Sequence, residues 1–375
     1  MKENPFKYGV VVDEPFFINR EKELAGISLD LVSGSNLIIT SPRRYGKTSL
    51  MAKILLNLEK EGYPVIYIDL FRTASLRQFI DTYCSELLKQ QPGLKKALSN
   101  FQQWIRGIRP AVSVDPSGSP VFTFSYDPAV SLYESLTDVL NLPLKIPKNK
   151  RWIIVMDEFQ DIEKFNGKDT EKWFRSVIQF HKDISYVFMG SKTHLLSQMF
   201  SSRDRAFYGF GKMIRIDKIP REEMVRYIID RMETTGISCS LELAAKIVAL
   251  SDNIPYFVQF LASEAWKEAY LSNGTLGPEQ IDNAIEHLLD NQQDHFHQVI
   301  DTLTAYQKKV LQALSKEQQL IYSIDFMKTY DLGAVSSTQR AIDKLIQSGI
   351  IEKEQEHISF SNPFFLKFLQ KRVFK

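Results

Sequence analysis

The sequence predicts an α/β chain: a parallel sheet covered by helices, then a small helical module and a C-terminal winged helix-turn-helix. Three observations lead there. Through residues 1–219, apolar β-rich runs alternate with helical patterns, as in "NLIIT", "VIYIDL", "RWIIVMDE", "SYVFMGS" and "MIRIDKI", the rhythm of strands buried on both faces. From "PREEMVRYIID" at Pro220 to residue 300, apolar residues recur three and four apart, as at Leu243, Ile247, Val248 and Leu250, which is a helical period. In residues 301–375, helices at "DTLTAYQKKVLQAL", Ser323–Thr329 and Ser336–Gln347 precede the alternating stretch "IIEKEQEHISF", and helices followed by a hairpin outline a winged helix. The expected domains are therefore 1–219, 220–300 and 301–375.

Composition narrows the classes. A chain of 375 residues, 44% hydrophobic and 25% charged, buries more than one core. The net charge of +2 decides nothing about nucleic acid, although residues 301–375 carry a small basic surplus. Cys84 and Cys239 are the only cysteines and lack metal-ligand spacing, so a reducing, cytoplasmic setting is expected. No leader pattern opens the sequence and no apolar run approaches the ~20 residues that span a bilayer, so no membrane contact is expected. The histidines pair with no ligand pattern beyond "DHFHQ", which reads as a solvated helical stretch.

The first element with chemistry in it is "NLIITSPRRYGKTSLMAKIL", Asn36 to Leu55. It fits G-x-x-x-x-G-K-[ST] from Ser41 to Thr48, with Ser41 in place of the first glycine. A buried strand, a turn and an amphipathic helix would aim backbone N–H groups and a helix N-terminus at phosphate. Ser41, Pro42, Arg43, Arg44, Tyr45, Gly46, Lys47, Thr48 and Ser49 are the candidate loop, with Lys47 on the β- and γ-phosphates and the Thr48 hydroxyl on Mg²⁺. Arg43 and Arg44 have three readings: phosphate contact, contact with a partner subunit, or solvated loop tip.

Next, "RPAVSVDPSGSPVFTFSYDP" reads as a loop or short hairpin inserted between helices. In "RWIIVMDEFQDI", an apolar strand runs into Asp157 and Glu158, as in a Walker B strand. Asp157 would hold the metal's water shell and Glu158 would polarise the attacking water as general base. "SYVFMGS" ends at Ser191, either a sensor beside the γ-phosphate or the cap of the following helix. With no [NT]-K-x-D segment at a strand end to read guanine, ATP is the expected nucleotide.

Together, "FFINREKEL", "SPRRYGKTSL", "IIVMDEFQDI", "VFMGSKTHLLSQMF" and "DNIPYFVQFLA" resemble the archaeal-type ATPases of the STAND and AAA+ P-loop group. The resemblance runs from about Phe16 to the end, and "RRYGKTSL" and "DEFQ" are its most specific parts. It implies a P-loop core, a helical lid and a winged helix. It also implies that Phe17, Ile18 and Arg20 lie near the adenine base; Phe17 reads equally as ordinary core. A lid segment of the form Gly-x-Pro would approach the phosphates, and Asn253-Ile254-Pro255 stands there, with Asn for Gly; Pro255 reads also as a helix-initiating proline. Arg203 and Arg205 are either an arginine finger or a solvated loop.

The expected protein is thus an ATP-binding and ATP-hydrolysing switch whose nucleotide state moves the lid and winged helix. Its partner is either another protein or DNA, the second as in origin-recognition ATPases, with Arg340 and Lys344 on the outward face of the recognition helix. Oligomer formation is left open.

Overall fold

The structure is a computed structural model that describes residues 2–12, 16–91, 100–101, 103–165, 168–272, 274–354 and 357–374. Its strands, in chain order, are β1 (Leu37–Thr40), β2 (Val65–Asp69), β3 (Ile108–Val114), β4 (Pro120–Tyr126), β5 (Trp152–Asp157), β6 (Ile184–Gly190), β7 (Lys212–Arg215), β8 (Ile351–Glu354) and β9 (His357–Phe360). β1, β5 and β6 are buried at every position, which explains why their sequences read as continuous apolar runs rather than alternations. They join β2 and β7 in a five-stranded parallel sheet of order β2-β5-β6-β1-β7.

The register does the positioning. Thr40 pairs with Gly190, and Asp69 pairs with Asp157. The carboxyl ends of β1, β2, β5 and β6 therefore share one edge of the sheet, where open α/β sheets place their ligands. Leu70, Phe79, Ile154, Phe159, Phe174 and Phe188 are part of the core under it.

Contacts divide the chain into two compact units. One holds Arg20–Arg43 and Lys47–Asp217; the other holds Met1–Asn19, Arg44–Gly46 and Lys218–Lys375. The first contains the sheet and the β3–β4 hairpin, seven residues on each side, where the sequence left a choice between loop and hairpin. Asp115 closes its turn by accepting from the N–H groups of Ser117 (2.9 Å) and Ser119 (2.8 Å).

The second unit begins with helices Arg221–Thr234, Leu241–Leu250, Pro255–Leu271 and Pro278–Asp301. Ala305–Lys316, Ile324–Thr329, Val335–Gln347, the β8–β9 hairpin and Pro363–Phe368 follow. Met232, Ile247, Leu261, Leu288, Leu311, Ile342 and Phe364 belong to a single apolar cluster, so one core is continuous across residue 300, where the sequence places a boundary. Phe6 joins that core, and Asn4 Nδ2 donates to Ser263 Oγ (2.9 Å); the N-terminal segment packs with this unit, not with the sheet. At the other end, Arg372 pairs with Glu286 (2.9 Å) and Asp290 (2.6 Å).

One helix start differs from expectation. The third helix of the winged-helix region runs Val335–Gln347, one residue earlier than the sequence places it, and Ala334 precedes it without a side-chain cap. The Ala334 carbonyl already accepts from the N–H groups of Ser337 (3.0 Å) and Thr338 (3.2 Å), so Ser336 and Ser337 lie inside the first turn. Among the described residues, no helix is long and apolar enough to cross a membrane, and no group of three or more His, Cys, Asp or Glu is arranged to hold a metal. His295 and His297 are exposed.

Candidate functional site

β1 delivers the chain to Ser41 and Pro42, both buried, and the helix Lys47–Lys60 takes it onward. The turn between them needs unusual backbone angles, with φ at 71° for Arg44 and 89° for Gly46. A Cβ at Gly46 would meet nothing within 4 Å, so it is the left-handed backbone, not crowding by the protein, that calls for glycine. Lys47 is buried at the head of the helix, while Thr48 is exposed and Ser49 half-buried.

Lys47 reaches the end of β5. Its Nζ donates to Asp157 Oδ1 (2.7 Å) and lies 3.9 Å from Glu158 Oε1. Asp157 is buried and accepts two further hydrogen bonds, from Glu158 N (2.9 Å) and from Tyr67 Oη on β2 (2.5 Å). Burial and then the Asp157 charge push the Tyr67 phenol well above its ordinary range, so it remains a donor. Beside it, burial raises the Asp69 carboxyl, with the Asp157 charge adding to the rise and the Phe71 N–H opposing it.

Glu158 stands in the left-handed region, φ 50°, an uncommon backbone for a residue of its type. Its Oε2 accepts from Gln160 Nε2 (2.5 Å), Ser191 Oγ (3.0 Å) and Ser191 N (3.3 Å). Of the two sequence readings of Ser191, the cap is not what the structure contains. Lys192, not Ser191, precedes the helix Thr193–Ser201, and the serine turns to Glu158 instead. The exposed Arg43 completes the group, its Nε 3.4 Å from Ser191 Oγ. Lys47, Asp157, Glu158, Ser191 and Arg43 thus gather at the carboxyl edge of the sheet.

The remaining candidates have other surroundings. In the unit with the C-terminal helices, Arg44 O accepts from Tyr256 N (3.3 Å), and its guanidinium lies 4.8 Å from the Phe257 ring centroid. Tyr45 and Ile18 are part of that unit's core, and Phe17 is half-buried. Arg20 is buried in the sheet unit, donating to Glu23 Oε1 (3.0 Å) and to the Asp217 carbonyl (2.7 Å). Pro255 begins the helix Pro255–Leu271; before it, Asn253 takes φ 50° and its Nδ2 donates to the Ile219 carbonyl (2.8 Å), so asparagine holds the left-handed turn in place of glycine.

Arg203 is exposed. Arg205 is neither solvated nor extended as a finger: its Nη2 pairs with Glu171 Oε2 (2.5 Å) and Glu163 Oε1 (2.6 Å). The Glu171 side chain is only 1% exposed, and a carboxylate so buried requires a cation beside it. Gln160, Tyr67 and Asp69 were missed in the sequence. Only Gln160 left a signal there, two residues past Glu158 in "DEFQ".

Comparison with known proteins agrees with this geometry. Residues 17–226 match a family described as "ATPase domain predominantly from Archaea", and residues 294–371 match "Probable winged helix domain". No curated protein matches the chain. Among solved structures, the Walker-type ATPase PABY2304 of Pyrococcus abyssi is similar at 17% identity, with TM-score 0.66 and coverage of 98% of this chain and 99% of that one. The Aeropyrum pernix ORC2 protein in ADPNP–ADP complexes is similar at 14% identity, with TM-score 0.56 and 98% of each chain covered. The Aeropyrum pernix ORC1 protein in complex with DNA is similar at 16% identity, with TM-score 0.52 and coverage of 96% and 94%. At these identities the likeness is one of fold. The family match spans more than half of the sequence and contains the loop, the acid pair and Ser191: the chain belongs to the ATPase-domain family found predominantly in Archaea, and it carries a winged helix at its C-terminal end.

Proposed function

We propose that the protein binds ATP with Mg²⁺ and hydrolyses it slowly to ADP and phosphate, using nucleotide state to move its helical and winged-helix parts. The observation that carries this reading is the meeting of Lys47, Asp157, Glu158 and Ser191 at one edge of the sheet. The donor set fits the group: a buried cation and a left-handed loop suit phosphate oxygens, while the Thr48 hydroxyl and Asp157 carboxylate are oxygen ligands of the kind Mg²⁺ takes. When bound, Mg²⁺ neutralises charge on the β- and γ-phosphates.

The chain's own residues do the rest. Lys47 would leave Asp157 for the phosphates and offset the charge that develops as the terminal P–O bond breaks. Glu158 would take a proton from the water that attacks the γ-phosphorus, and Ser191 would orient that carboxylate. Arg43 would add a cation at the loop tip. Ser41, Pro42 and Arg44 to Gly46 shape the loop, and Ser49 extends the helix start. From the family resemblance, Phe17, Ile18, Arg20 and Pro255 are proposed nucleotide contacts, each testable by single substitution. Phosphate release from MgATP by wild type and Glu158→Gln tests the chemistry; equal rates would refute it.

The partner follows from the output. A protein partner is the first reading. Duplex DNA is the second, favoured by one observation: Arg340 and Lys344 are exposed on the helix Val335–Gln347, where a winged helix presents its reading face. Titration with duplex at low and moderate salt decides. Salt-sensitive binding lost in Arg340→Ala/Lys344→Ala supports DNA, and no binding at low salt with or without ATP leaves the protein partner.

A further inference from the structure

The proposed base is held by a residue that the reaction scheme does not use. Gln160 is 5% exposed and lies just beyond β5, two residues after Glu158. Its Nε2 donates to Glu158 Oε2 at 2.5 Å, whereas its Oε1, also buried, has no hydrogen-bond partner among the described residues. That asymmetry fixes which way the amide points, because the opposite orientation would set a carbonyl oxygen against a carboxylate oxygen. A second observation points the same way. Gly190 ends β6, and a Cβ there would overlap Gln160 Oε1; its φ is not left-handed, so the glycine serves space rather than backbone freedom. The sheet has left a slot for this amide at the cost of an unpaired buried oxygen, an expense otherwise without return.

The bonds to Glu158 divide its two oxygens. Among the described residues, Oε2 accepts from three donors, Gln160 and the Ser191 hydroxyl and N–H, and Oε1 has only Lys47 Nζ, at 3.9 Å. One oxygen is anchored, and the other is left to receive a proton. We infer that Gln160 is a positioning residue: it fixes the rotation of the Glu158 carboxylate so that Oε1 faces the reacting water, and Gly190 makes room for it. This rests on the assignment of Glu158 as general base. Glu158 holds a left-handed backbone, and a lone serine hydroxyl and N–H at 3.0 and 3.3 Å leave it less constrained than the shorter amide bond does.

The test is steady-state ATP turnover by the full chain, beside MgATP affinity and thermal melting, for wild type, Gln160→Met, Gln160→Glu and Glu158→Gln. Lys47 and Asp157 face Glu158 from the loop and β5, Asp69 and Tyr67 from β2, and Arg43 lies beside Ser191; all are unchanged in these variants. Gln160→Met is expected to lower kcat roughly 10- to 100-fold, within the span of general-base contributions, with MgATP affinity changed less than about two-fold. Gln160→Glu replaces the amide donor with a second carboxylate against Oε2, so it should lower kcat at least as far as Gln160→Met, with MgATP affinity again retained. It keeps the shape of the side chain and decides the matter if Gln160→Met does not fold. A kcat like wild type in the folded variants, with Glu158→Gln inactive, overturns the positioning role alone; so does a kcat that rises, which would mean the amide sequesters the base. Turnover that survives Glu158→Gln overturns the base assignment first, and this inference with it.

Discussion

At the residue scale, the same chain uses buried charge in two ways. Lys47 and Asp157 form a close pair, 2.7 Å apart with both side chains 8% exposed, yet each belongs to a group that a nucleotide would rearrange. Arg205 and Glu171 form a pair whose geometry is that of a buried structural contact, and it is there that a substitution should register in stability. Arg205→Ala leaves a carboxylate 1% exposed without its cation, and breaking one side of a buried pair costs about 3–5 kcal/mol; a urea unfolding midpoint unchanged from wild type would show the pair to be dispensable. His181 gives the pH counterpart. Its ring bonds Tyr186 Oη (2.7 Å) and Asn141 Oδ1 (3.0 Å), and burial pushes its pKa down to about 4. The unfolded chain takes that proton near pH 6.5 and the folded chain does not, so this contribution is complete above 6.5, declines as pH falls toward 4, and levels off below. Near pH 5 the loss should be on the order of 2 kcal/mol. His181→Asn should flatten the slope of the unfolding midpoint between those limits, and an unchanged slope would assign it to other groups.

At the element scale, strands were more legible than the side-chain partnerships they create. Continuous apolar runs marked β1, β5 and β6 because both faces are covered, and glycine-lysine-threonine after a strand marked the loop because few other chain geometries use it. Tyr67 was not legible: it meets Asp157 only through parallel pairing across 90 positions of sequence, and no local pattern records that register. Nor was Arg205, whose partners lie 34 and 42 residues away. The N-terminal segment misled for a related reason, since Phe6 has no periodic neighbours to show which core it joins. In the winged-helix region, Ala341, Ile342 and Leu345 are buried on the helix Val335–Gln347, and Arg340 and Lys344 are exposed. Ile342→Ala is therefore expected to cost about 2–4 kcal/mol in unfolding free energy. Arg340→Ala/Lys344→Ala should stay within about 0.5 kcal/mol. Equal losses from both substitutions would mean the outward face is not a surface.

At the scale of the whole molecule, a nucleotide that binds only the folded state must stabilise it by mass action, by about 2.7 kcal/mol at a hundredfold excess over Kd, and so raise its melting temperature. MgATP should raise it more than MgGTP, and a larger shift with MgGTP would remove the adenine assignment. Binding and chemistry are proposed to reside in the residues gathered at the sheet edge, and one paired measurement tests that claim: equilibrium MgATP affinity and single-turnover hydrolysis for wild type, Lys47→Ala and Glu158→Gln. Lys47→Ala should lose tight binding, because the cation that meets the phosphates is gone, whereas Glu158→Gln should bind MgATP as wild type does and fail to hydrolyse it. Wild-type affinity in Lys47→Ala, or wild-type hydrolysis in Glu158→Gln, would contradict it.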